Sequence, residues 1–170
     1  MTADDCKKRL MHRIDCACKE AERLKLAFPH VLESIQFLRK AGLERACDDM
    51  CFVHMDIRPE NFILQNGQLY LIDFDNGGLG ESVSDFVYLT TMGPGTHHSF
   101  TYYLLNSYWG ESIPSEFWEG NLVYSTLQMV EYAIWKYNNR GKQVLHQANN
   151  IWNQYDGFTS SVPLWWRDWN

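Results

Sequence analysis

A mainly helical α+β fold is predicted by three features of this chain: two amphipathic stretches in its first quarter, a hairpin signal near its middle, and helical spacing through much of its C-terminal half. From Ala3 to Ala27 the sequence is rich in Lys, Arg, Glu and Leu. Leu10, Ile14, Ala17, Ala21 and Leu24 recur there every three or four residues, which puts them on one face of a helix. Pro29 punctuates that helix. Val31, Ile35 and Leu38 repeat the pattern in a second helix over Val31 to Ala41, with Gly42 read as its C-terminal stop.

Phe52 and Val53 read as a short strand, and Pro59 forbids a regular helix soon after it, so a loop is expected between. Phe62–Gln65 and Gln68–Ile72 flank Asn66-Gly67, a dipeptide that supplies the two positive φ angles of a tight hairpin turn. Ser82 is expected to cap a helix running through Phe86, Val87 and Leu89 towards Met92, with Pro94-Gly95 as its break. Further helices are expected from about His98 to Trp109 and from Ser112–Pro114 to Gly141, the latter carrying Trp118, Leu122, Met129, Ala133 and Tyr137. Lys142 to Tyr155 reads as the last helix. There is no internal repeat, low-complexity tract or obvious linker, so residues 1–170 are read as a single domain.

Composition narrows the function classes. Hydrophobic residues at 45%, aromatics at 15% and charged residues at 21% describe a globular chain rather than a disordered one. A net charge of -6 argues against a nucleic-acid surface and leans towards a cationic ligand. No apolar run approaches the ~20 residues that cross a bilayer. The five cysteines are an odd number with no hydrophobic signal segment before them, which suits reduced thiols in a cytoplasmic protein. A metal site from Cys16-x-Cys18 with Cys47-x-x-x-Cys51 is the less favoured reading, because Cys16 and Cys18 lie in helical sequence rather than in a knuckle.

The chemistry concentrates in His54-Met55-Asp56-Ile57-Arg58-Pro59-Glu60-Asn61, with Asp73-Phe74-Asp75 beginning twelve positions after the Asn. This spacing suits phosphoryl transfer: Asp56 can orient a hydroxyl and accept its proton, while Asn61 and Asp73 offer the hard oxygens that Mg²⁺ requires. The hairpin is what would fold Asp73 back beside Asn61. Arg58 could offset charge on a transferred phosphoryl group, and His54 reads as a structural residue tying the loop to backbone.

These residues resemble the aminoglycoside phosphotransferase and choline kinase-like family, relatives of the protein kinases. The resemblance rests on His54-x-Asp56-x-x-x-x-Asn61, on Ile72-Asp73-Phe74-Asp75 and on the spacing to Asp85. It is strong from Phe52 to Leu89 and looser elsewhere, including Ile113–Trp118 and Tyr155 through Trp165. It implies the C-terminal lobe of a protein-kinase-like fold, with Asp56 as catalytic base, Asn61 and Asp73 as Mg²⁺ and nucleotide ligands, and Asp85 buttressing the catalytic loop. It also implies transfer of the ATP γ-phosphoryl group to a hydroxyl of a small, cationic acceptor such as an aminoglycoside or amino alcohol.

Three departures stand out: Met55 for the usual Gly, Arg58 for the frequent His, and Glu81-Ser82 for the frequent Asp-Pro. A larger one is that nothing before His54 reads as the nucleotide-covering lobe, since Lys7, Lys8, Lys19 and Lys25 all sit in helical sequence. The rival expectation is therefore a non-catalytic, truncated or split module that binds a small molecule or partner, self-associating through its exposed lobe interface.

Other candidates carry less. Gly78-x-Gly80 lacks the third glycine of a dinucleotide fingerprint and reads as a turn after Asp73. His97-His98 reads as a polar loop, and His12, His30 and His146 as surface or helix-end residues. Trp165, Trp166 and Trp169 suit the cap of a helical core, and Glu116, Glu119, Glu131 and Asp156 suit solvated helix faces.

Overall fold

A computed structural model describes residues 2–47, 50–91, 98–110, 112–140 and 151–168. Helix α1 spans Ala3–Arg23 and starts in a capping box: the Asp5 amide donates to Thr2 Oγ1 at 3.3 Å, and the Thr2 amide donates to Asp5 Oδ2 at 3.0 Å. Its buried face carries Cys6, Leu10, Ile14, Ala17, Cys18 and Ala21. The helix stops at Arg23, short of the expected Ala27, because Lys25 takes a left-handed φ of 50°. The Lys25 and Leu26 amides then fold back onto the Glu22 and Ala21 carbonyls, closing the end as glycine usually does.

Helix α2 spans Val31–Glu44 and passes through Gly42, which the sequence suggested as its stop. Gly42 is instead buried between helices: a Cβ there would lie 2.7 Å from Ile14 Cδ1 and 3.2 Å from Met11 Sδ. The missing side chain lets α1 and α2 approach, and the helix ends only where Arg45 turns extended at ψ 132°.

The strands form two separate antiparallel pairs. Strands β2 (Phe62–Gln65) and β3 (Gln68–Leu71) make the expected hairpin, with Asn66 at φ 52° and Gly67 at φ 75°. Strand β1 (Cys51–Val53) pairs with β4 (Gly78–Gly80), matching Cys51 with Gly80 and Val53 with Gly78. The glycine-rich segment after Asp73 is thus partly a strand rather than only a turn. Glycine suits it because a Cβ at Gly80 would come within 2.7 Å of Val53 Cγ2.

A 3-10 segment over Ser82–Phe86 leads into α3 (Val87–Thr91), with Glu81, not Ser82, at the cap position. Helices α4 (His98–Trp109) and α5 (Ser115–Arg140) follow; residues 151–154 are helical (α6), and α7 spans Leu164–Arg167. The expected helix end near Met92, the Pro94-Gly95 and Gly141 breaks, His97, His146, Trp169 and most of the Lys142–Tyr155 helix lie outside the described residues.

Helix α5 is central. Phe117, Trp118, Leu122, Val123, Leu127, Val130 and Ala133 are all buried along it, so it faces the core on several sides. Phe86, Trp109 and Phe117 interlock, with ring centroids 4.9 Å apart for Phe86–Trp109 and 4.3 Å for Trp109–Phe117. Trp165 is buried and Trp166 lies 5.2 Å from Trp118, so these terminal aromatics cap the helical core. Among the described residues, no helix is long and apolar enough to cross a membrane.

A charged pair sits inside this apolar frame. The Arg45 and Glu81 side chains are 9% and 0% exposed, Arg45 grips both carboxylate oxygens, and the Tyr124 hydroxyl donates to Glu81 Oε2 at 3.1 Å. Arg45→Met should lower the unfolding free energy by about 3–5 kcal/mol, because it leaves Glu81 buried without its partner. Adding Glu81→Leu should recover most of that loss, and the shift of the urea midpoint is the measurement for both variants.

Candidate functional site

Strand β1 delivers His54 into the core, where it is 2% exposed. His54 Nε2 lies 2.8 Å from the Ile72 carbonyl oxygen, and Nδ1 lies 3.3 Å from the Asp56 amide nitrogen. The Asp56 amide can only donate, so Nδ1 accepts and Nε2 carries the proton that Ile72 receives. The imidazole thereby clamps the exit of β3 to the start of the loop, and Phe74 packs against its ring at 4.5 Å.

Pro59 opens a short 3-10 turn over Pro59–Asn61, which swings Asn61 back towards Asp56. Asn61 Nδ2 donates to the Asp56 carbonyl at 2.8 Å and to Asp56 Oδ2 at 3.0 Å. Its amide nitrogen is therefore committed to Asp56, which leaves the Oδ1 atom as the one that suits a hard cation. The Ile72 amide donates to the Asn61 carbonyl at 2.9 Å, so the chain enters Asp73 directly beside Asn61. Asp73 itself is exposed and makes no side-chain hydrogen bond among the described residues.

Arg58 Nη2 stands 3.1 Å from Asp56 Oδ2, and its guanidinium carbon lies 5.9 Å from the centre of the Tyr88 ring. The neighbouring Asp56 carboxylate holds the Arg58 pKa above its ordinary value. His54, Asp56, Arg58 and Asn61 thus meet in one constellation, while Asp73 is brought there by backbone pairing alone.

Two residues of this site hold left-handed backbone: Met55 and Asp73, both at φ 66°. Such angles are strained for side chains other than glycine. Met55 is held by Asp85 Oδ1, which accepts its amide at 2.7 Å, and its sulfur receives the Ser84 hydroxyl at 3.4 Å.

Sequence reasoning missed Arg45, Glu81, Tyr124 and Tyr88. Glu81 had a local signal, since Glu81-Ser82 already stood out as a departure from the resembling pattern; the others carried none. The cysteine ligand set that the sequence made the less favoured reading does not assemble. Cys16 is exposed and Cys18 buried on α1, while Cys47 gathers instead with Cys6 and Glu81, their donor atoms within 4.8 Å of one another. Burial pushes the Cys6 thiol up to about 12 and raises Cys47 as well, and both Glu81 oxygens are taken by Arg45. That cluster is organised around an ion pair with protonated thiols beside it.

Burial raises the Asp85 carboxyl above its ordinary range, and the Met55 and His54 backbone hydrogen bonds pull it part of the way back. The folded chain therefore keeps this proton at pH values where the unfolded chain has lost it. The resulting stabilisation is full below the ordinary aspartate pKa and is lost as pH rises through the folded value. Asp85→Asn removes the titration while keeping an acceptor for Met55. The stability difference between wild type and this variant, from urea midpoints over about pH 4 to 7, should shift against wild type with rising pH; a constant difference would refute it.

Residues 5–113, more than half of the chain, match the profile of the phosphotransferase enzyme family. No curated protein and no solved structure matches the chain. The match runs through the His54–Asn61 loop, the hairpin, Asp73 and Asp85, and the chain belongs to the phosphotransferase enzyme family.

Proposed function

We propose that this chain forms the C-terminal lobe of a protein-kinase-like phosphotransferase that moves the ATP γ-phosphoryl group to a hydroxyl of a small acceptor. The observation that carries this reading is the Asp56 carboxylate, 16% exposed and held through one oxygen by Asn61 and Arg58, with Asp73 threaded alongside. An alcohol is a weak nucleophile at neutral pH. Asp56, oriented by Asn61, is the group that receives its proton as the new O–P bond forms, the bond from the γ-phosphorus to the bridging oxygen breaks and ADP leaves.

Asn61 Oδ1 and the exposed Asp73 carboxylate are the residues that would hold Mg²⁺, an oxygen pair that fits its preference. When bound, that ion supplies positive charge to the nucleotide phosphates. Arg58 offers a second cation at the same place, and His54 keeps the loop and the Asp73 segment in register. The net charge of -6 favours a cationic acceptor, such as an amino alcohol or aminoglycoside.

Calorimetry with Mg²⁺ and ATP, followed by a phosphate-transfer screen of amino alcohols and aminoglycosides, tests the reading. Asp56→Asn should lower turnover by about 10²–10⁴-fold, the range of a general base, with the circular-dichroism melt unchanged. Turnover retained in that variant would sink the assignment.

A second reading concerns the surface around the site. Phe52, Leu64, Leu69 and Leu79 are each more than half exposed on the two small sheets, an apolar area that invites self-association. Sedimentation of the wild type should show a concentration-dependent larger species, and Leu64→Lys with Leu69→Lys should return it to monomer. A wild-type monomer at all concentrations would remove this second reading.

A further inference from the structure

Helix α3 buries Val87 and Leu89, 4% and 1% exposed, in the core, whereas Tyr88 between them is only half-buried and turns its ring to Arg58. The guanidinium carbon lies 5.9 Å from the ring centre, within reach of a cation–π contact. The same group is 3.1 Å from Asp56 Oδ2 through Nη2. Beyond Asp56 and Tyr88 it has no hydrogen-bond partner among the described residues, and its Nε is buried with none. Arginine is rich in rotamers, so a guanidinium confined between a ring and a carboxylate has lost much of that freedom before any ligand arrives. Its free N–H donors suit planar, multidentate binding of phosphate oxygens.

Resting on the phosphotransferase reading, we propose that Tyr88 is the positioning residue for Arg58, holding the guanidinium beside Asp56 where its free donors meet the phosphates of a bound polyphosphate. Both parts of Tyr88 reach the cation: its ring stands beside the guanidinium and its hydroxyl accepts a hydrogen bond from it, and Tyr88→Phe separates the two. Packing alone would not require a tyrosine here, since the half-exposed position lies on the edge of the core.

The test follows the Arg58 Nε–Hε signal by NMR in the full chain while Mg²⁺ and inorganic tripolyphosphate are added. In wild type and in Tyr88→Phe the signal should sit at a ring-shifted position and move on addition. Tyr88→Leu, and Tyr88→Met as a second variant closer in length, should move it out of the ring shift. Each should also weaken tripolyphosphate binding by roughly fivefold, the scale of a cation–π contact at a partly exposed site. In an Arg58→Ala background, Tyr88→Leu should add no further loss, because the ring then has no cation to hold.

An Arg58 signal and an affinity indifferent to Tyr88→Leu and Tyr88→Met would overturn the positioning role alone. So would an equal loss with and without Arg58. A signal that responds to Tyr88 but to no phosphate would overturn the phosphotransferase reading, and the phosphate role of Arg58 with it.

Discussion

The buried pair of Arg45 and Glu81 is the constraint on which the arrangement around the site depends. Two charges removed from water require compensation, and here it comes from four elements at once. Arg45 leaves the end of α2, Glu81 follows β4, Tyr124 reaches in from α5, and Cys6 closes the cluster from α1. Gly120 on α5 completes the fit: a Cβ there would lie 2.5 Å from Arg45 Nη2. Because Glu81 is the residue after Gly80, this pair also sets where β4 runs, and β4 is the partner of β1. The strand that delivers His54 is therefore held in place by an ion pair whose two members are not among the candidate site residues.

From β1 onward, positioning passes to hydrogen bonds between backbone and short side chains. His54 bridges to Ile72, Asn61 to Asp56, and Asp85 to Met55, each within 3.0 Å. None of these groups lies on a long regular element. The loop can consequently hold two left-handed residues, Met55 and Asp73, because its neighbours fix the backbone on both sides. Arg58 is the exception, held through its side chain by Asp56 and Tyr88.

Legibility in the sequence followed the range of the interaction. The β2–β3 hairpin was readable because Asn66-Gly67 makes the turn locally, and α1 because its buried face repeats within the helix. Strand β4 was hidden, since two of its three residues are glycines and its partner lies 25 or more positions upstream. Gly42 misled for a related reason. Glycine in a helical pattern signals a stop by default, and only the approach of Ile14 from another helix shows that the missing side chain serves packing. Lys25 misled in the other direction, ending α1 in the left-handed conformation without the glycine that would have announced it.

The order of chemical groups from His54 to Asn61, the helical periodicity and the tight turn belong to the sequence, because each depends on residues within a few positions of one another. What only the tertiary structure decided is which groups meet. Arg45 and Glu81 are 36 positions apart, and Met55 and Asp85 are 30 apart. Tyr88 finds Arg58 from a helix that carries no trace of the contact in its own pattern. Spacing along the chain sets local geometry, whereas a charge buried against a distant partner, or a ring under a cation, exists only once helices and sheets have closed on a shared core.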